Sequence, residues 1–173
     1  MDQLAEAAGI SRATLYRLFP GKASLFAGVV EAYSPWEAVA RAIEGNPNGV
    51  PDDVVPVVGA AILHAMEGRT GLLLGVVGEL VRGNPDTAEG MQRSLVGGLP
   101  EVIRYLSEQM DAGRLRQTDP VLALQLLAGP IVAHLLTRPL AEVATGQRLS
   151  TEGATGEIVA AWLRVMAPDR QPG

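Results

Sequence analysis

Apolar side chains recur at intervals of three and four residues along nearly the whole sequence, and no run alternates as a half-buried strand would. That spacing gathers the apolar groups on one side of successive helices, so the chain is predicted to be all-α. Turn signals divide the helices. Leu4, Ala5 and Ala8 stripe a first helix that Gly9 stops. Ser11 is placed to cap a second, in which Leu15, Leu18 and Phe19 share one side. Pro20-Gly21 breaks it, and Leu25, Phe26, Val29 and Tyr33 stripe a third. Further helices are expected from Pro35 to Glu44, from Asp52 or Asp53 to about Met66, and from Leu72 to Val81. A polar one is expected near 85–95, and another, over Val102 to Met110, stops at Gly113. Asp119-Pro120 pairs an N-cap acceptor with proline at the first helical position, opening a helix to about Thr137. Residues 141–150 read as a mobile loop, followed by a last helix carrying Ile158, Val159, Trp162, Leu163 and Met166.

Hydrophobic residues make up 47% of the 173, and charged residues 19%, enough for a sizeable core. There is no cysteine, which excludes disulfides and thiolate metal sites and suits a reducing, cytoplasmic setting. Met1-Asp2-Gln3 carries no secretion signal, and the longest apolar stretch, Val121 to Leu136, is interrupted and short for a bilayer span, so no membrane association is expected.

The net charge of −5 argues against nucleic acid, but its distribution does not. Between Arg12 and Lys22 the only charged residues are Arg12, Arg17 and Lys22, all basic. Helix, glycine turn, helix is the helix-turn-helix plan, in which the second helix enters the major groove. At 100° per residue, the side opposite Leu15, Leu18 and Phe19 presents Ala13, Tyr16 and Arg17, flanked by Arg12 and Thr14. Thr14 suits a base edge, the arginines guanine or phosphate, and Tyr16 a phosphate. Lys22 opens the next helix, where its charge and free N–H groups suit a phosphate. On spacing alone, a solvated basic face of an ordinary helical protein fits equally well.

The run from Leu4 to Lys22, LAEAAGISRATLYRLFPGK, resembles the signature of the tetracycline-repressor (TetR) family of transcriptional regulators. The resemblance implies a dimeric, ligand-released repressor: a head over residues 1–34 and a helical ligand-binding and dimerisation domain over 35–173. It assigns DNA contact to Ser11, Arg12, Ala13, Thr14, Tyr16, Arg17 and Lys22, on a palindromic operator. There are two departures. Leu18 stands where the family usually has His or Tyr reaching a phosphate, and the family's first helix has no counterpart, since Met1 falls inside the second. Without that helix Leu4, Ile10, Leu15, Phe19 and Phe26 are expected to be uncovered, and residues 1–20 poorly ordered, packed against a neighbour or held in an arrangement unlike the family's.

No catalytic constellation, metal site or cofactor motif can be assembled, so neither enzyme nor cofactor is expected. His64, Met66, Glu79, Tyr105 and His134 are the candidates for lining an effector pocket for a small molecule. Residues 120–137 are apolar nearly all round, so a homodimer is expected through 120–137 and 151–166. The alternative is a helical small-molecule-binding or scaffolding protein that does not touch DNA.

Overall fold

The structure, a computed structural model, describes residues 1–46, 49–83, 98–148 and 150–168. All regular structure among them is helical: α1 (Asp2–Ala7), α2 (Arg12–Leu18), α3 (Lys22–Ala32), α4 (Trp36–Glu44), α5 (Pro51–Met66), α6 (Thr70–Arg82), α7 (Leu99–Asp111), α8 (Pro120–Thr145) and α9 (Thr151–Met166). The polar helix expected near 85–95 lies outside the described residues. Two compact units form: one of Met1–Ser34 with Gly75–Val96, the other of Pro35–Leu74 with Gly97–Gly173.

The second unit is a bundle around α5, which packs against α4, α8 and α9. Pro51 at its first turn, with Asp52 and Asp53 behind it, suits the positive end of the helix dipole. Val54, Val55, Val58, Ile62 and Leu63 are buried there, joined by Val39 and Ile43 of α4, Val102 and Leu106 of α7, Leu127 and Ile131 of α8, and Val159 and Met166 of α9. At Gly59 α5 and α9 come very close: a Cβ would lie 2.6 Å from Cγ2 of Val159.

Polar groups fix the register. The Trp162 indole Nε1 donates to the Ala123 carbonyl over 2.8 Å, joining α9 to α8 in the core. The Thr151 hydroxyl, buried at the start of α9, donates to Glu67 at the end of α5 over 2.8 Å. The Arg69 guanidinium caps α5 from below, donating to the carbonyls of Ala65 (2.6 Å) and His64 (3.3 Å). Gly113 turns the chain out of α7 at φ 68°, and the Arg116 amide then donates to the Met166 carbonyl.

One boundary departs from expectation. α8 does not stop near Thr137 but runs to Thr145, through the first half of what reads as a loop, and ends on Gly146 at φ 70°. Asp119 caps its start as the sequence implies, accepting from the amides of Val121 and Leu122. Pro130 and Pro139 are both exposed, so their rings stand on the outer side of the helix rather than in the core, each removing one backbone donor. Arg138 and Glu142 pair one turn apart at 3.5 Å. With 26 residues, α8 is long and apolar enough to cross a bilayer by length and composition. Its stripe of Ala123, Leu124, Leu127, Ile131 and Leu135 is nonetheless buried, and the Trp162 bond ties it to α9, as in a bundle helix.

Tyr105 is also a core group. Its ring is buried and its hydroxyl donates to the Gly49 carbonyl over 3.1 Å, joining α7 to the turn before α5. Burial pushes its phenol up to about 12, with Asp53 and Asp52 adding to the rise and Arg114 opposing it. A folded-state value above the unfolded one stabilises the fold fully below pH ~10. That contribution is lost as pH climbs through about 12.

Two outcomes follow for stability. Gly59→Ala should lower the unfolding free energy by about 1–3 kcal/mol through overpacking against Val159, and Gly59→Val by more, measured by urea denaturation. Tyr105→Phe should lose about 1 kcal/mol at neutral pH and flatten the fall in stability on the alkaline side, because the titrating group is gone. An unchanged alkaline limb in that variant would assign the base sensitivity to another group.

Candidate nucleic-acid interface and ligand cavity

In the first unit, α1 and α2 are set by a short turn. Gly9 takes φ 64°, and the Ile10 amide returns to the Ala5 carbonyl over 3.0 Å. Ser11 then caps α2, its Oγ accepting from the Thr14 amide at 3.1 Å and sharing a 2.9 Å hydrogen bond with the Thr14 hydroxyl. Ala5 and Leu15 are buried together where α1 meets α2. Residues 1–20 thus form helix, turn and helix. Of the five apolar side chains expected to be uncovered, Leu15 is buried, Ile10, Phe19 and Phe26 are half-buried, and Leu4 is 48% exposed.

The open side of α2 carries Arg12, Ala13, Tyr16 and Arg17, all exposed; Thr14 is half-buried by its bond to Ser11. Arg17 makes no ion pair among the described residues. Arg12 does: its Nε donates to Oδ1 of Asp2 at 2.7 Å, with both side chains about two-thirds exposed. Lys22 is the first residue of α3, following Gly21, and its side chain lies outside the description. Leu18 breaks the expected apolar side: it is 58% exposed. The chain leaves the helix just after it, as Phe19 turns extended (φ −133°, ψ 99°). The Phe19 ring thereby reaches α3, where a Cβ on Gly28 would stand 2.8 Å from its Cε1, and Leu18 is left on the outer surface.

The second unit holds a cavity of about 530 Å³, within the range of small-molecule sites. Its walls are Pro35, Trp36 of α4, Ile62 and Met66 of α5, Leu99 of α7, and eight residues of α8 from Val121 to Leu136. Among the described residues no charged side chain lines it, and Gln125 carries the one carboxamide. Of the candidate pocket residues whose side chains are described, Met66 lines this cavity and His64, Tyr105 and His134 do not. His64 is exposed on α5, and Tyr105 is held in the core by Gly49. His134 lies on α8 off the lining, its Nε2 buried without a hydrogen-bond partner among the described residues. Glu79 belongs to α6, and its side chain lies outside the description. The described wall of this cavity is made by apolar contact, which titratable groups do not mark. The signal missed was in α8, whose lining positions 121, 124, 125, 128, 129, 132, 133 and 136 follow one uncharged helical face. Among the described residues no group of three His, Asp or Glu is arranged to hold a metal.

Residues 1–29 match the sequence profile of the bacterial regulatory proteins of the tetR family. No curated protein is detectably similar in sequence. Among solved structures, a protein of unknown function from Rhodococcus sp. RHA1 superposes with a TM-score of 0.70 at 18% identity, over 95% of this chain and 83% of that one. The Flavonoid-responsive Regulator FrrA superposes with a TM-score of 0.56 at 22% identity, over 98% and 87%. At such identities these two likenesses speak for the fold. The Ser-capped second helix that presents arginine and tyrosine to solvent lies inside that matched segment, so residues 1–29 are similar to the N-terminal segment of the bacterial regulatory proteins of the tetR family.

Proposed function

We propose that this chain is a DNA-binding transcriptional regulator of the tetR family, a ligand-responsive repressor working in the cytoplasm as a homodimer, with α2 reading each half of a palindromic operator. The observation that carries the ligand response is the uncharged cavity of about 530 Å³, whose wall includes Pro35 and Trp36, the residues that directly follow the head segment in the chain. A small molecule there favours body conformations that seat Trp36 against it. Where those conformations space the two recognition helices wrongly for successive major grooves, the ligand releases DNA by shifting the population. FrrA is a flavonoid-responsive regulator by name and has the same fold, which agrees with a small-molecule response here.

In the DNA contact proposed, Arg12, Ala13, Thr14, Tyr16 and Arg17 lie along the groove, Ser11 fixes the start of α2, and Lys22 meets a phosphate. Dimerisation is supported by the outer side of α8, where Leu122, Leu126, Pro130, Ala133, Thr137, Leu140 and Ala144 form an exposed uncharged strip. Leu140 is 73% exposed and neighbouring Val143 84%. α9 adds Gly156, Ala160 and Leu163 around a shallow hollow of about 340 Å³ shared with α5.

Operator binding is best measured on a duplex selected from random-sequence DNA. Arg17→Ala should weaken it by about 1–3 kcal/mol, Tyr16→Phe by less, and Lys22→Ala should reduce the salt slope by about one. If no duplex is selected, the chain is a helical ligand-binding or scaffolding protein; if one is selected and all three variants bind it unchanged, α2 reads through another face. Light scattering at micromolar concentration should give a dimer, converted to monomer by Leu122→Glu with Leu126→Glu; a monomeric parent chain removes the dimer.

A further inference from the structure

The proposed effector response says that the cavity takes a small molecule; the chemistry of its wall says which kind. We infer that it selects an uncharged, largely apolar molecule bearing one hydrogen-bonding group, and that Gln125 reads that group. This rests on the cavity being the effector site.

The wall offers nothing to a charge. Trp36, Ile62, Met66, Leu99, Leu124 and Val132 surround the space, and among the described residues no lysine, arginine, aspartate, glutamate or histidine lines it. A carboxylate or ammonium moved from water into such a space loses its hydration without a counter-charge. The apolar body of a neutral ligand gains by the same transfer. Gln125 is the exception in the wall. It is exposed as well as lining, so it stands where the cavity meets solvent, and its carboxamide makes no hydrogen bond to a described residue. A carboxamide both donates and accepts, so it serves a hydroxyl or a carbonyl equally. The ligand's polar group therefore sits at the α8 mouth while its apolar body goes inward toward Ile62 and Met66.

Gly129 supplies the means of testing this without disturbing the bundle. It lies one turn beyond Gln125 on the same lining face, and a Cβ there meets nothing within 4 Å. Gly129→Leu thus puts a side chain into open space from a helical position that favours leucine over glycine.

The experiment is calorimetric titration of the full chain with four matched probes: naphthalene, 2-naphthol, 2-naphthoate and 2-naphthylmethylammonium. The expected order is 2-naphthol tightest, naphthalene about fivefold to tenfold weaker, and both ions weaker than 2-naphthol by thirtyfold or more. Gln125→Ala should erase the advantage of 2-naphthol over naphthalene and leave naphthalene unchanged. Gly129→Leu, with its unfolding transition intact, should abolish binding of all four. If an ion binds as tightly as 2-naphthol and Gly129→Leu blocks it, the cavity reading stands and the selection for neutral ligands is overturned. If 2-naphthol keeps its advantage in Gln125→Ala, the role of Gln125 is overturned. If Gly129→Leu blocks no probe, the cavity is not the site and the inference falls with it.

Discussion

Everything in the body hangs on α5 being approachable from several sides at once. A helix covered by α4, α8 and α9 has little room for side chains at every contact, and at Gly59 there is none at all. Removing one Cβ brings α5 onto Val159, and the apolar groups above and below it close into a continuous core from Val39 to Met166. The hydrogen bonds then have defined partners. Trp162 finds the Ala123 carbonyl, and Thr151 finds Glu67, only because α9 lies at that depth against α5 and α8.

The cavity is the counterpart of this close packing. Where α8 carries leucine and isoleucine toward the core it is sealed; one face further round, small residues such as Ala128, Gly129 and Ala133 leave space. The same helix is thus core on one side, cavity wall on the next, and open apolar strip on a third. Such a helix reads in sequence as uniformly apolar, and its distinct sides emerge only in three dimensions.

That contrast explains what the residues disclosed and what they withheld. Features made by neighbours in sequence were legible: Ser11 capping α2, Asp119 capping α8, Gly113 ending α7, and the open side bearing Arg12, Ala13, Tyr16 and Arg17. Each depends on hydrogen bonds or angular spacing within one turn or two. Features made by distant segments were not. The exposure of Leu18 depends on where Phe19 lands on α3, and the burial of Tyr105 depends on Gly49, far away in the chain. The extent of α8 was hidden for another reason: Pro139 reads locally as a stop, yet the helix continues through it, with the proline ring exposed and Arg138 paired to Glu142 across it. His64 and His134 drew attention as titratable groups, whereas the cavity is built from residues with no titration at all.

The pairing of Arg12 with Asp2 bears on how this head weighs sequence against mere charge. An exposed ion pair of this kind is nearly neutral in stability, so it adds little to the fold. To an approaching polyanion it looks different. The guanidinium is already partly answered by a carboxylate tethered to the same small unit, and that carboxylate repels the phosphate the guanidinium attracts. A protein whose basic groups are unopposed adheres to any nucleic acid, and its search is slowed by everything it meets. In the DNA contact proposed for α2, the Asp2 carboxylate would hold down the indiscriminate part of that attraction and leave a larger share to contacts with base edges.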